Sequence, residues 1–135
     1  MMYDRLYIQF LIHFNWNRDY YECHEVLEEL WLEEGRNPLY QGMLQIAVGL
    51  YHFENGNVTG SRKLFMAGIE KLIQYPDQML GINLGQLIHE ARQYVSQLEC
   101  WEQAPFPFYH LTIQIEDTEL LEVMTEVQSM MEEFK

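Results

Sequence analysis

Apolar residues recur at three- and four-residue steps over most of the chain, which is a helical period. Leu6, Phe10 and Phe14 mark a first helix over about Tyr3–Phe14, broken at Asn15-Trp16-Asn17. Asp19 followed by Glu22 has capping-box spacing and opens a second helix to about Glu34, where Gly35 stops it. Asn37-Pro38 reads as an N-cap with proline at the first helical position. The third helix then runs over 38–55 and ends at Asn55-Gly56. Asn57 caps a fourth helix to about Gln74, and Asn83 with Gln86 opens a fifth to about Trp101.

Beyond Trp101 the period changes. Pro105-Phe106-Pro107-Phe108 cannot be helix interior. His110 to Glu116 alternates apolar and polar, a strand period without a visible partner strand. Segment 106–116 is therefore either an extended arm on the helical body or a strand that pairs with a second copy. Asp117 or Thr118 caps a last helix with Leu120, Met124, Val127, Met131 and Phe134 on one stripe. Its other faces hold Glu119, Glu122, Glu126, Glu132 and Glu133, so its stability depends on docking the stripe, against its own chain or a partner. The expected architecture is an all-α, single-domain bundle of about six helices over 1–135, built around an antiparallel hairpin of 20–34 and 38–55.

Composition narrows the function classes. Of 135 residues, 48% are hydrophobic and 14% aromatic, enough for a real core. The net charge of -13, from 21 acids and 8 bases, repels phosphate backbones and anionic lipid, which argues against nucleic-acid and membrane roles. It leaves a protein partner or self-association, with a homodimer through 106–116 or the C-terminal helix as the specific expectation. Cys23 and Cys100 sit in helical, partly apolar patterns without Cys-x-x-Cys spacing. The N-terminal residues lack a leader pattern, and no apolar run reaches the roughly 20 residues that span a bilayer. The expectation is a soluble cytoplasmic protein.

One constellation carries candidate chemistry. On a wheel at about 100° per residue, His24, Glu28 and Trp31 share a sector of the second helix, and Gln41, Gln45, Val48 and His52 share one on the third. The short turn Gly35-Arg36-Asn37 makes the helices antiparallel, which sets Trp31 level with Gln41, Glu28 with Gln45, and His24 with Val48. His52 then falls near Tyr20 and Tyr21. Such groups are costly to bury unpaired, so they form a buried hydrogen-bond network or a site. As a network, Glu28 accepts from Gln45 or His24, and Gln41 bonds backbone or the Trp31 indole. As a metal site, His24 and Glu28 with His52 offer three ligands, but the pattern is not the His-Glu-x-x-His of metalloproteases. As an acid–base pair, His24 is oriented by Glu28, without an accompanying nucleophile or cofactor motif. As a ligand or peptide pocket, it is lined by Trp31, Tyr20, Tyr51 and the glutamines. Gly42 and Gly49, with Ser61, Phe65 and Gly68, read as close packing of the third and fourth helices.

Phe-Asn-Trp-Asn-Arg-Asp-Tyr-Tyr-Glu-Cys-His-Glu-Val-Leu-Glu-Glu-Leu-Trp over 14–31, Gln41-Gly42-Met43-Leu44-Gln45-Ile46-Ala47 and Gly56-Asn57-Val58-Thr59-Gly60-Ser61 together resemble a bacterial and archaeal family, DUF309, a domain of unknown function. The likeness covers residues 14–72. This chain departs from the family pattern at Cys23 and Ser61, usually alanines, and at Asn17, near a frequent glycine. The resemblance implies an all-helical bundle and singles out His24, Glu25, Glu28, Trp31, Gln41, Gln45 and Gly56, but it implies no reaction. The leading expectation is a non-catalytic interaction or scaffold module with a buried polar network and no cofactor. The alternative is a small-ligand-binding or metal-assisted hydrolytic enzyme using His24 and Glu28.

Overall fold

A computed structural model describes residues 2–133 as one helical domain. Six helices follow in order: α1 (Arg5–Ile12), α2 (Tyr20–Glu33), α3 (Pro38–Glu54), α4 (Val58–Leu72), α5 (Leu84–Glu99) and α6 (Thr118–Glu133). Each starts where a short polar side chain accepts from an otherwise unpaired backbone N–H. Asp19 accepts from Glu22, Asn37 from Leu39, Asn57 from Gly60, Asn83 from Gln86, and Asp117 from Glu119. The α2–α3 turn passes through two left-handed residues, Gly35 (φ 67°) and Arg36 (φ 65°).

Helix α1 is buried nearly all round through Tyr7, Ile8, Phe10, Leu11 and Ile12. At His13–Asn17, where the sequence predicts a break, the chain widens into a π-helical turn before Arg18 reverses it (φ 55°). The turn has a purpose in packing. It aims the Asn15 amide at the backbone of Ile113, donating to its carbonyl and accepting from its N–H, both at 2.8 Å.

That contact fixes the extended segment as an arm on its own chain. Leu111 and Ile113 point into the core while Thr112 and Gln114 face solvent, as the alternation predicts. The missing partner strand is a small hairpin that the sequence reading did not predict. Gln78–Met79 (β1) pairs antiparallel with Ile82–Asn83 (β2) about Leu80 and Gly81, both at positive φ. Ile115 bridges Ile82, Asn83 N–H donates to Gln114 O (2.9 Å), and Glu116 N–H donates to Gly81 O (2.8 Å). Strands of two residues have no periodicity to detect. Upstream, Tyr94 Oη donates to Tyr109 O and accepts from Tyr109 N–H, and Phe106 packs on Phe53 (4.9 Å).

Helix α6 docks Leu120, Met124 and Val127 into the core, with Met131 half-buried; Phe134, the last position of its stripe, lies outside the described residues. Helices α3 and α4 touch through glycine. A Cβ on Gly68 would sit 2.9 Å from Gly42 O, and one on Gly49 would meet the Phe65 ring at 3.1 Å. One turn before Phe65 on α4, the buried Ser61 hydroxyl donates to Gly49 O (2.7 Å). Among the described residues no helix is long and apolar enough to cross a membrane.

Candidate functional site

The polar sectors of α2 and α3 do face one side of the hairpin, but they do not form the buried network expected from the wheel. They line an open groove of about 300 Å³. His24, Glu28 and Trp31 supply the α2 wall, Gln41 and Gln45 the α3 wall, and Leu44, Val48 and Leu64 of α4 an apolar floor. The His24 side chain is 35% exposed and that of Glu28 51%. The reason lies one position round each helix. Cys23, Leu27 and Leu30 on α2, and Met43, Ile46, Ala47 and Leu50 on α3, form a more apolar stripe that takes the core and turns the polar sector outward.

The pairings change accordingly. His24 sits between two carboxylates, with Nδ1 3.3 Å from Glu25 Oε1 and Nε2 3.3 Å from Glu28 Oε2. A neutral imidazole can donate to only one of them. Gln45 accepts from Lys71 Nζ of α4 at 3.0 Å and, among the described residues, does not donate to Glu28. Among the described residues the Trp31 indole N–H is buried without an acceptor, so the expected bond with Gln41 is not made. The Arg36 guanidinium covers the ring face at 5.4 Å from its centroid. An unmet buried donor costs about 1–3 kcal/mol, which makes Trp31 the least satisfied group in the wall.

Three predicted members stand elsewhere. His52 packs edge-on against Tyr51 (6.1 Å) and lies outside the groove. Tyr20 is buried and shares a 2.6 Å hydrogen bond with His110 Nδ1 of the arm. Tyr51 contacts Tyr21, whose ring in turn approaches His24. Among the described residues no three His, Cys, Asp or Glu side chains are grouped to hold a metal ion, so His24, Glu28 and His52 do not assemble as a ligand set. Leu64, absent from the predicted site, completes the groove floor from α4, and Lys71 of the same helix holds Gln45 from outside the lining. Their separation of seven residues, two helical turns on one face, was the available signal. Both cysteines are free; Cys23 is buried, which pushes its thiol pKa well up, and Cys100 is exposed.

Residues 7–64 match the family model described as Domain of unknown function (DUF309), a span that contains all the groove-lining residues. YpuF, an uncharacterised protein of Bacillus subtilis (strain 168), is 36% identical over 104 residues, covering 73% of this chain and 59% of its own length. An uncharacterised protein of Aquifex aeolicus (strain VF5) is 33% identical over 76 residues, covering 53% of this chain and 23% of its own length. The aligned region thus spans less than two thirds of either relative. No solved structure matches the chain.

Proposed function

We infer that this chain, whose residues 7–64 match the DUF309 family model, is a non-catalytic interaction module whose α2–α3–α4 groove receives a short peptide segment of a partner protein. The observation that carries this reading is the open groove itself, with motif side chains on its walls and an apolar floor. Its volume of about 300 Å³ suits one or two anchoring side chains rather than a large cofactor. The polar inventory fits a peptide backbone, because the Gln41 amide both donates and accepts. The rim favours a basic side chain. Glu25 and Glu28 stand beside His24, and α2 as a whole carries five acids and no base. With a net charge of -13, the chain as a whole would also steer a basic segment towards it. An exposed free thiol at Cys100 supports action in a reducing compartment, the cytoplasm.

Hydrolytic chemistry has one supporting observation, the 3.3 Å His24–Glu28 pair. It is the weaker reading, because no serine, threonine or cysteine nucleophile lines the groove and the His24–Glu28 pair stands open to solvent. Selection of random linear peptides on the full chain tests the binding reading. The enriched sequences should pair an apolar residue with a nearby lysine or arginine. Leu64→Glu should weaken them at least tenfold while leaving the helical circular dichroism intact. Failure to enrich any peptide, or equal binding by Leu64→Glu, would refute the proposal.

A further inference from the structure

Charge is unevenly spread over the bundle. Helices α2 and α6 carry five acids each and no base, whereas α4 and α5 together carry four bases, Arg62, Lys63, Lys71 and Arg92, against three acids. This least negative part of a chain of net charge -13 also exposes apolar surface. Met66 of α4 and Ile73, its C-cap, are 48% and 50% exposed, and with Ile69 and Val95 they line a shallow trough of about 420 Å³ between α4 and α5. Glu70, Arg92 and Glu99 edge it. Among the described residues none of these three side chains makes an ion pair within the chain.

We propose that this α4–α5 face is the surface on which two copies of the chain associate. A two-fold interface sets each patch against itself, so it must be self-complementary. An apolar trough edged by both signs of charge meets that requirement: Arg92 of one copy can face Glu70 or Glu99 of the other. The surfaces expected from sequence meet it less well. Two α6 helices would set five acids against five, and the arm spends backbone hydrogen bonds on Asn15, Asn83 and Gly81 of its own chain. Helices of 15 and 16 residues are about 22–24 Å long and about 10 Å wide, so the face measures roughly 450 Å² before side-chain relief. Two such faces would bury about 900 Å² in total, in the range of weak, transient interfaces, so the proposed dimer is one that forms and dissociates with concentration. The peptide groove uses Leu64 of α4 rather than Met66, Ile69 and Ile73, so dimerisation leaves it open and does not depend on the peptide reading.

Sedimentation equilibrium of the full chain between about 5 and 200 µM tests the proposal. The weight-average mass should rise towards twice 16.3 kDa across that range. Ile73→Glu and Arg92→Glu should each raise the dissociation constant at least tenfold with an unchanged far-ultraviolet spectrum. Adding Glu70→Arg and Glu99→Arg to the Arg92→Glu chain should bring the dimer back, which general destabilisation could not do. A chain that stays monomeric at 200 µM overturns the proposal. So does a dimer that survives both single variants, or that is lost instead on replacing exposed Leu121 or Met130 of α6 by glutamate.

Discussion

Replacing Gly68 by alanine should destabilise the protein, although intrinsic helix propensity says the opposite. In an exposed helix interior the added methyl would contribute about 0.5–1 kcal/mol of stability. Gly68 lies instead where α4 crosses α3, and its Cβ would come within 2.9 Å of Gly42 O and 3.0 Å of Ile46 Cδ1. The backbone carbonyl cannot rotate away, so the helices must separate by about half an ångström. Over-packing of this kind typically costs about 1–3 kcal/mol. The same movement stretches the buried Ser61–Gly49 hydrogen bond. The net loss should be about 1–2 kcal/mol, or a melting temperature about 3–10 °C lower for a chain of this length. Gly42→Ala should be milder, because its new methyl meets mainly Leu72 side-chain carbons at 2.8 and 2.9 Å, which can turn aside. Urea and thermal denaturation followed by circular dichroism give both values. A Gly68→Ala chain as stable as the parent, or more stable, refutes the crossing geometry, and with it the position of Leu64 in the groove.

Asn15→Ala should loosen the arm, because it leaves both buried main-chain groups of Ile113 unpaired at a cost of about 1–3 kcal/mol. Hydrogen exchange at the Ile113 amide should accelerate before the helices are affected, and unchanged protection there contradicts the docking. Stability should also fall in alkali. The Asp117 hydrogen bond to Tyr3 and the burial of Tyr20 push both hydroxyls up to about 12, while an unfolded tyrosine ionises near 10. Between these values the folded chain holds more protons than the unfolded one. The stabilisation is therefore complete below about pH 10 and is lost as the pH rises towards 12. Urea midpoints at pH 8, 10 and 11 that stay level would contradict this.

The helical frame was legible because its signals are local. Asp19, Asn37, Asn57 and Asn83 each cap within three residues, and the spacing of Gly42, Gly49, Ser61 and Gly68 foretells the close α3–α4 crossing. The hairpin at 78–83 escaped because two-residue strands leave no period, and without it the arm had no visible partner. The groove was half legible. The wheel places His24, Glu28 and Trp31 opposite Gln41 and Gln45, but it cannot rank that sector against the adjacent stripe of Cys23, Leu27 and Leu30 for the core. That ranking decides between a sealed network and an open surface, and the more apolar stripe takes the core. Lys71 lies 26 residues from Gln45, a contact made by the packing of α4 and not by local spacing.

The most direct measurement is a ¹H–¹⁵N spectrum of the full chain titrated with a peptide selected on it. The chain has three tryptophans, Trp16, Trp31 and Trp101, and of these only Trp31 lines the groove. If the peptide enters as proposed, the Trp31 indole signal shifts as its ring is covered, together with the side-chain amides of Gln41 and Gln45, while Trp16 and Trp101 stay still. Shifts centred on Trp16 or Trp101, with Trp31 unmoved, would contradict the assignment of the groove as the recognition site.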